Sequence, residues 1–135
     1  MKKVLILCTG NSCRSITAEA LVNKYCEGIQ AYSGGVKASG KVNPYAVEVL
    51  KKEGAWKSEY HSKVLDEVIN LDFDLIVTVC DNAKENCPMF PKKVKTHHVG
   101  FSDPDGEGIE AFRKTLELIK KELLPIIKEE LHVAS

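Results

Sequence analysis

Eight consecutive residues, Cys8-Thr9-Gly10-Asn11-Ser12-Cys13-Arg14-Ser15, carry the most direct chemistry in the chain. A cysteine, five residues and then an arginine suit a loop that wraps a tetrahedral oxyanion. The small residues Gly10, Asn11 and Ser12 let successive backbone N–H groups point inward as an anion nest. Arg14 adds a planar fork of charge-assisted donors. A helix starting at Ser15 turns its positive dipole end to the same spot. Cys8 stands where these groups converge, so its thiolate should be stabilised and nucleophilic there. Context strengthens the motif: it follows the apolar run Lys3-Val4-Leu5-Ile6-Leu7 and precedes an amphipathic helix. If Cys8 were only a core thiol and Arg14 only a solvated charge, Gly10 and Asn11 would have no reason to be there. The pattern reads as an oxyanion enzyme with a cysteine nucleophile.

Transfer of an oxyanion to a thiolate expels an oxygen that leaves far more easily when protonated. Asp103, in the turn-rich Gly100-Phe101-Ser102-Asp103-Pro104-Asp105-Gly106, is the candidate general acid. Asp105 is the weaker candidate and reads as solvated. Cys80 and Cys87 flank the polar stretch Asp81-Asn82-Ala83-Lys84-Glu85-Asn86, with Pro88 following. A continuous helix would separate their Cα atoms by about 10 Å, whereas a disulfide tolerates at most about 7 Å. Either they are two unrelated thiols, or the segment unwinds when they pair. The polar composition and the proline make unwinding cheap, and with a nucleophile at Cys8 the redox pair is the reading adopted. Cys13 is a small filler within the loop, and Cys26 an ordinary buried thiol closing the first helix.

These groups need a scaffold. Short apolar runs alternate with helical periodicity, the pattern of βαβ units around a parallel sheet. The predicted strands are Val4–Leu7, Ala31–Ser33 ended by Gly34-Gly35, Phe73–Val79 leading into Cys80, and a weaker Val94–Val99. The predicted helices run from about Ser15 to Cys26, over Tyr45–Glu53 between the Asn43-Pro44 start signal and Gly54, and over His61–Asn70. A last helix carries Ile109, Phe112, Leu116, Ile119, Leu123 and Ile126, with Pro125 loosening its final turns. The fold class is α/β: one domain over residues 1–135, a three-layer sandwich with a four-stranded parallel sheet and helices on both faces. Ligands of such sheets bind beyond the carboxyl ends of the strands, so the Cys8 loop, Cys80 and the 101–106 loop should share one rim.

Composition narrows the classes of partner. The 135 residues hold 19 Lys+Arg and 19 Asp+Glu, which gives no basic surface for nucleic acid or membrane. Lys2-Lys3 before a short apolar run imitates a signal peptide, but the run is too short, and the expectation is a cytoplasmic protein. Five cysteines, at 8, 13, 26, 80 and 87, fit a reducing compartment with transient disulfides. Their Cys-x4-Cys and Cys-x6-Cys spacings are not those of a zinc framework. Trp56 reads as packing, and His61 and His132 carry no functional signal.

Three stretches together, Cys8–Ser15, Val79-Cys80 to Cys87-Pro88, and Gly100-Phe101-Ser102-Asp103-Pro104, resemble the thioredoxin-coupled arsenate reductases, which share the low-molecular-weight tyrosine phosphatase fold. The likeness covers essentially the whole chain. It implies that Cys8 attacks arsenate, that Arg14 and the amides of Thr9, Gly10, Asn11, Ser12, Cys13 and Ser15 bind it, and that Asp103 protonates the leaving oxygen. It further implies that Cys80 attacks Cys8 to release arsenite, through a transient Cys8–Cys80 disulfide. Cys87 then attacks Cys80, and the Cys80–Cys87 disulfide is presented to thioredoxin. Phosphate and sulfate would compete with arsenate, a weak phosphatase side activity is implied, and the expected state is a monomer without a bound cofactor. Cation-binding relatives set Asn, Glu, Ser and Asp around a potassium ion beneath the loop. Asn11, Glu19 and Ser33 resemble the first three, but Lys63 falls where the Asp would be. Its ammonium could neutralise the site without a metal, so potassium dependence does not carry over.

Two other functions compete. A low-molecular-weight protein tyrosine phosphatase would use the same loop and Asp103, but family phosphatases carry tyrosines after Asp-Pro where this chain has Asp105-Gly106. They also have no use for a Cys80–Cys87 relay. A non-enzymatic redox or oxyanion-sensing module would use cysteine oxidation to reshape a partner surface.

Overall fold

The central strand is the apolar run that precedes the loop. In the computed structural model, which describes residues 1–85, 94–104 and 106–131, β1 (Lys2–Cys8) lies between β2 (Ile29–Gly35) and β3 (Leu75–Thr78). The last strand, β4 (Thr96–His98), continues beyond β3. All three pairings are parallel, in the order β2-β1-β3-β4. Residues Val4 to Cys8 are 0–3 % exposed. Successive side chains face opposite sides of a sheet, so burial of every one means both faces are covered. Burying Leu5, Ile6 and Leu7 contributes about 1.5–3 kcal/mol each, which anchors the strand that delivers Cys8.

The helices are α1 (Arg14–Tyr25), α2 (Pro44–Glu53), α3 (Asp81–Glu85), α4 (Ile109–Leu118) and α5 (Leu124–Glu130). α1, α2 and α4 pack on one another, and α3 lies against β1 and β3. α2 begins as its sequence dictates: Asn43 caps it by accepting from the Tyr45 N–H, Pro44 opens it, and Gly54 closes it at φ 75°. A π turn, Ile119–Leu123, joins α4 to α5. Pro125 in the first turn of α5 has no N–H to give a carbonyl of the preceding turn, and its ring crowds that turn. Widening the helix just upstream relieves both effects. On β4, His98 turns to Thr78 and Asp81 while His97 turns to Glu130, the divergence that adjacent strand positions impose.

Two expected elements differ. The helix predicted over 61–70 is only a three-residue 3-10 turn, Leu65–Glu67. The backbone before it is committed elsewhere: the Lys63 N–H donates to Asn11 Oδ1, the Lys63 carbonyl accepts from Gly35, and Val64 bridges Gly35. Extended pairing there overrides a helical hydrophobic pattern. Gly34 and Gly35 also do not end β2; they are its last paired residues, with Gly35 opposite Cys8. A Cβ on Gly35 would lie 2.7 Å from the Thr9 carbonyl oxygen, so glycine here is what allows the Cys8 loop to approach β2.

Candidate active site

The loop after β1 has its carbonyls tied from behind. Those of Cys8, Thr9, Gly10 and Ser12 accept from the N–H groups of Val36, Lys37, Ser39 and Asn43, at 2.8–3.2 Å. Ser62 Oγ adds a second bond to the Gly10 carbonyl, at 3.0 Å. In a planar peptide the N–H points opposite the carbonyl, so this bracing turns loop N–H groups towards the mouth of the loop. Asn11 holds the bend at φ 50°, a left-handed conformation that asparagine tolerates better than most residues. Val36, Lys37 and Ser39 carry no sequence signal, because their contribution is backbone N–H groups that any residue but proline supplies.

Cys8 Sγ is the focus. Cys8 is 3 % exposed as a residue, and its Sγ lies 2.9 Å from Ser15 Oγ and accepts from the Asn11 N–H at 3.2 Å. Asn11 Nδ2 donates to Ser15 Oγ at 2.7 Å, which leaves the Ser15 hydroxyl proton free to point at sulfur. The α1 N-terminus begins at Arg14 and adds its dipole. Cys13 behaves differently. Burial pushes its thiol up to about 12, so it stays protonated and fills space at the head of the helix.

Arg14 reaches across to the loop after β4. Its Nη1 donates to the Phe101 carbonyl at 3.1 Å, and its Nη2 lies 3.5 Å from Asp103 Oδ2. The guanidinium has five donors, more than these two contacts use. Phe101 N–H in turn donates to the Val79 carbonyl, which fixes the Asp103 loop beside the end of β3. Asp103 is half exposed.

Cys80 follows β3 and caps α3. It is buried, its Sγ accepts from the Ala83 N–H at 3.4 Å, and it lies 3.3 Å from Thr9 Oγ1. The second thiol therefore touches the residue next to Cys8. α3 is helical from Asp81 to Glu85. Asp81 is held by His98 Nε2 at 3.2 Å, and His98 Nδ1 is 2.8 Å from Thr78 Oγ1. Cys87 and Asp105 lie outside the described residues.

Beneath the loop, Asn11, Glu19, Ser33 and Lys63 meet, all at most 7 % exposed. Lys63 Nζ is 3.7 Å from Glu19 Oε1, 3.4 Å from Ser33 Oγ and 3.1 Å from the His61 carbonyl. An ammonium has no lone pair to give a metal, so these four residues do not form the all-oxygen cage that a potassium ion takes. Among the described residues no three His, Cys, Asp or Glu side chains group as metal ligands, and no helix is long and apolar enough to cross a membrane.

A parallel sheet of this order, with a cysteine loop running from β1 into α1 and an Arg–Asp pair across its mouth, defines a class of oxyanion-handling phosphatase-like domain. Residues 3–133 match the model of the low molecular weight phosphotyrosine protein phosphatase family, and the chain belongs to that family. It is 42 % identical over 120 residues to arsenate reductase 2 of Staphylococcus epidermidis, covering 88 % of this chain and 91 % of that protein. Among solved structures it is similar to an arsenate reductase from Archaeoglobus fulgidus, at 30 % identity with a TM-score of 0.79, covering 92 % of this chain and 98 % of that one. It is also similar to a low molecular weight protein tyrosine phosphatase from T. tengcongensis, at 29 % identity with a TM-score of 0.81, covering 96 % and 99 %.

Proposed function

We propose that this protein reduces arsenate to arsenite with a cysteine relay, as a detoxification enzyme of the cytoplasm. The observation that carries the reading is the contact of Cys80 Sγ with Thr9 Oγ1 at 3.3 Å. A phosphatase needs one thiol at its loop; a reductase needs a second within reach of the first. The match to named arsenate reductases over most of the chain supports the same substrate.

Arsenate sits among the loop N–H groups and the Arg14 fork. The Cys8 thiolate attacks As(V), an As–S bond forms, and an As–O bond breaks as Asp103 gives the leaving oxygen a proton. Cys80 Sγ then attacks Cys8 Sγ. The new S–S bond takes the place of the As–S bond, whose electron pair stays on arsenic, giving arsenite. Cys87 attacks Cys80, returning Cys8 as thiolate, and a dithiol protein of the thioredoxin kind reduces the Cys80–Cys87 disulfide. Two electrons pass from thiols to arsenic per cycle, and no bound cofactor takes part. Residues 1–135 act as one unit and as a monomer in this scheme, and phosphate and sulfate compete for the loop.

Turnover of arsenate with thioredoxin, thioredoxin reductase and NADPH tests the reading. Arsenate-dependent NADPH oxidation, abolished in Cys8→Ser, is expected. Hydrolysis of an aryl phosphate with no arsenate-dependent NADPH oxidation would instead favour the phosphatase reading.

A further inference from the structure

The buried Lys63–Glu19 pair has no part in the scheme above, yet it is wired to the nucleophile. Ser33 Oγ donates to Glu19 Oε1 at 2.6 Å. Having given its proton there, it can only accept from Asn11 Nδ2 at 3.0 Å. The Asn11 amide is thereby held with Nδ2 towards Ser33 and Ser15, and with Oδ1 accepting the Lys63 N–H at 2.8 Å. Since Asn11 Nδ2 also donates to Ser15 Oγ, the Ser15 proton is left for Cys8 Sγ. The Asn11 amide donates both ways, to Ser33 and to Ser15, and Ser33 is left as its acceptor because the Ser33 proton goes to the Glu19 carboxylate.

We propose that Lys63 is a positioning residue for Cys8: an internal cation that keeps Glu19 a pure acceptor and so fixes the direction of the hydrogen bonds that end on the thiolate. Burial leaves the Glu19 carboxyl raised above the ordinary glutamate range, and the Lys63 ammonium is the strongest influence holding it down, so removing that cation frees burial to neutralise it. The other groups facing the pair are His61, which is itself held by the Glu59 carbonyl and Glu67, and Tyr60 on the far side. On the Cys8 side the charged or titratable groups are Arg14, Asp103 and Cys13, with Cys80 against Thr9. A neutral Glu19 would carry a proton of its own, and Ser33 Oγ is the acceptor it would meet. An ionised Glu19 without its ammonium would place bare negative charge two hydrogen bonds from the groups that serve the thiolate. Both outcomes weaken Cys8.

The role rests on Cys8 as the nucleophile, and its test is independent of arsenate. The rate of iodoacetamide alkylation is measured at each cysteine by peptide mass spectrometry, between pH 5 and 9, for wild type, Lys63→Met and Glu19→Gln/Lys63→Met. Lys63→Met should slow Cys8 alkylation at pH 7 by about tenfold, the scale of one hydrogen bond to a charged group. Alkylation of Cys26, at the other end of α1, should not change. The double variant has no charge left to neutralise and keeps an acceptor at position 19, so Cys8 should return to within about twofold of wild type. An unchanged Cys8 profile in Lys63→Met would overturn the proposal. So would faster alkylation of Cys26 together with a slower Cys8, which marks general loosening. If Lys63→Met does not fold, the double variant decides: folded with a reactive Cys8 supports the wiring, and folded with a slow Cys8 refutes it.

Discussion

Replacing Ser15 by alanine removes one hydroxyl and tests how the nucleophile is activated. Ser15 is fully buried, and its Oγ lies 2.9 Å from Cys8 Sγ. Asn11 Nδ2 keeps Ser33 as an acceptor at 3.0 Å but loses Ser15 for its second N–H, an orphaned buried donor that costs about 1–3 kcal/mol while the fold survives. What is lost is a hydroxyl donor to the thiolate, one of two such bonds beside the Asn11 N–H. A hydrogen bond to a charged group contributes about 1.5–3 kcal/mol, which corresponds to about 10- to 100-fold. Water cannot make up the loss at a residue that is 3 % exposed. Alkylation of Cys8 at pH 7 should slow by that factor, and so should the single-turnover rate with arsenate. Circular dichroism should show little change, and urea unfolding a loss of about 1–3 kcal/mol for the Asn11 N–H left without an acceptor. An alkylation profile that matches wild type across pH would refute the reasoning and leave the α1 N-terminus and Asn11 as sufficient.

Asp103→Asn removes the proposed acid while leaving a side chain that can still contact Arg14. The single-turnover rate should fall by about 10²–10⁴-fold with little change in phosphate affinity, measured by quenched flow and by titration. Gly35→Ala places a Cβ 2.7 Å from the Thr9 carbonyl oxygen and 3.1 Å from Asn11 Cβ. It should cost about 1–3 kcal/mol in urea unfolding and weaken oxyanion binding, since what must move is the loop. His61 is raised by its bonds to the Glu59 carbonyl and Glu67, so the folded chain holds that proton more tightly than the unfolded chain. Its contribution is present below the ordinary histidine value of about 6.5 and lost as pH rises through the higher folded value. Wild type should therefore exceed His61→Gln by a few tenths of a kcal/mol at pH 5.5, an exposed pair being screened, and by nothing at pH 8.5.

Much of the site could be read from residue types because its chemistry depends on them. A thiol, a guanidinium and a carboxyl have few substitutes, and the strand-then-loop context of Cys8 could be read from Val4 to Leu7 alone. The braces behind the loop were not legible. Val36, Lys37 and Ser39 contribute N–H groups, which leave no mark in a sequence. The segment 61–64 was misread for a related reason. Val64, Leu65, Val68 and Ile69 are spaced as on a helix, but pairing of Lys63 and Val64 with Gly35 and Asn11 governs that backbone, and such tertiary bonds are invisible to periodicity. Gly34-Gly35 looked like a turn because glycine usually ends strands; here its missing Cβ admits the loop. Lys63 was visible as a departure from the resemblance, whereas its connection to Cys8 through Ser33 and Asn11 emerged only from the distances.

The relay is the centre of the functional account, and Cys87→Ser tests it most directly. Pre-reduced variant is mixed with arsenate without any external reductant, and arsenite and protein mass are followed. The account predicts about one arsenite per chain, then arrest, with Cys8 and Cys80 joined in a disulfide identified by peptide mapping. Continued turnover on addition of thioredoxin alone, or arrest with Cys8 and Cys80 both still free, would contradict it.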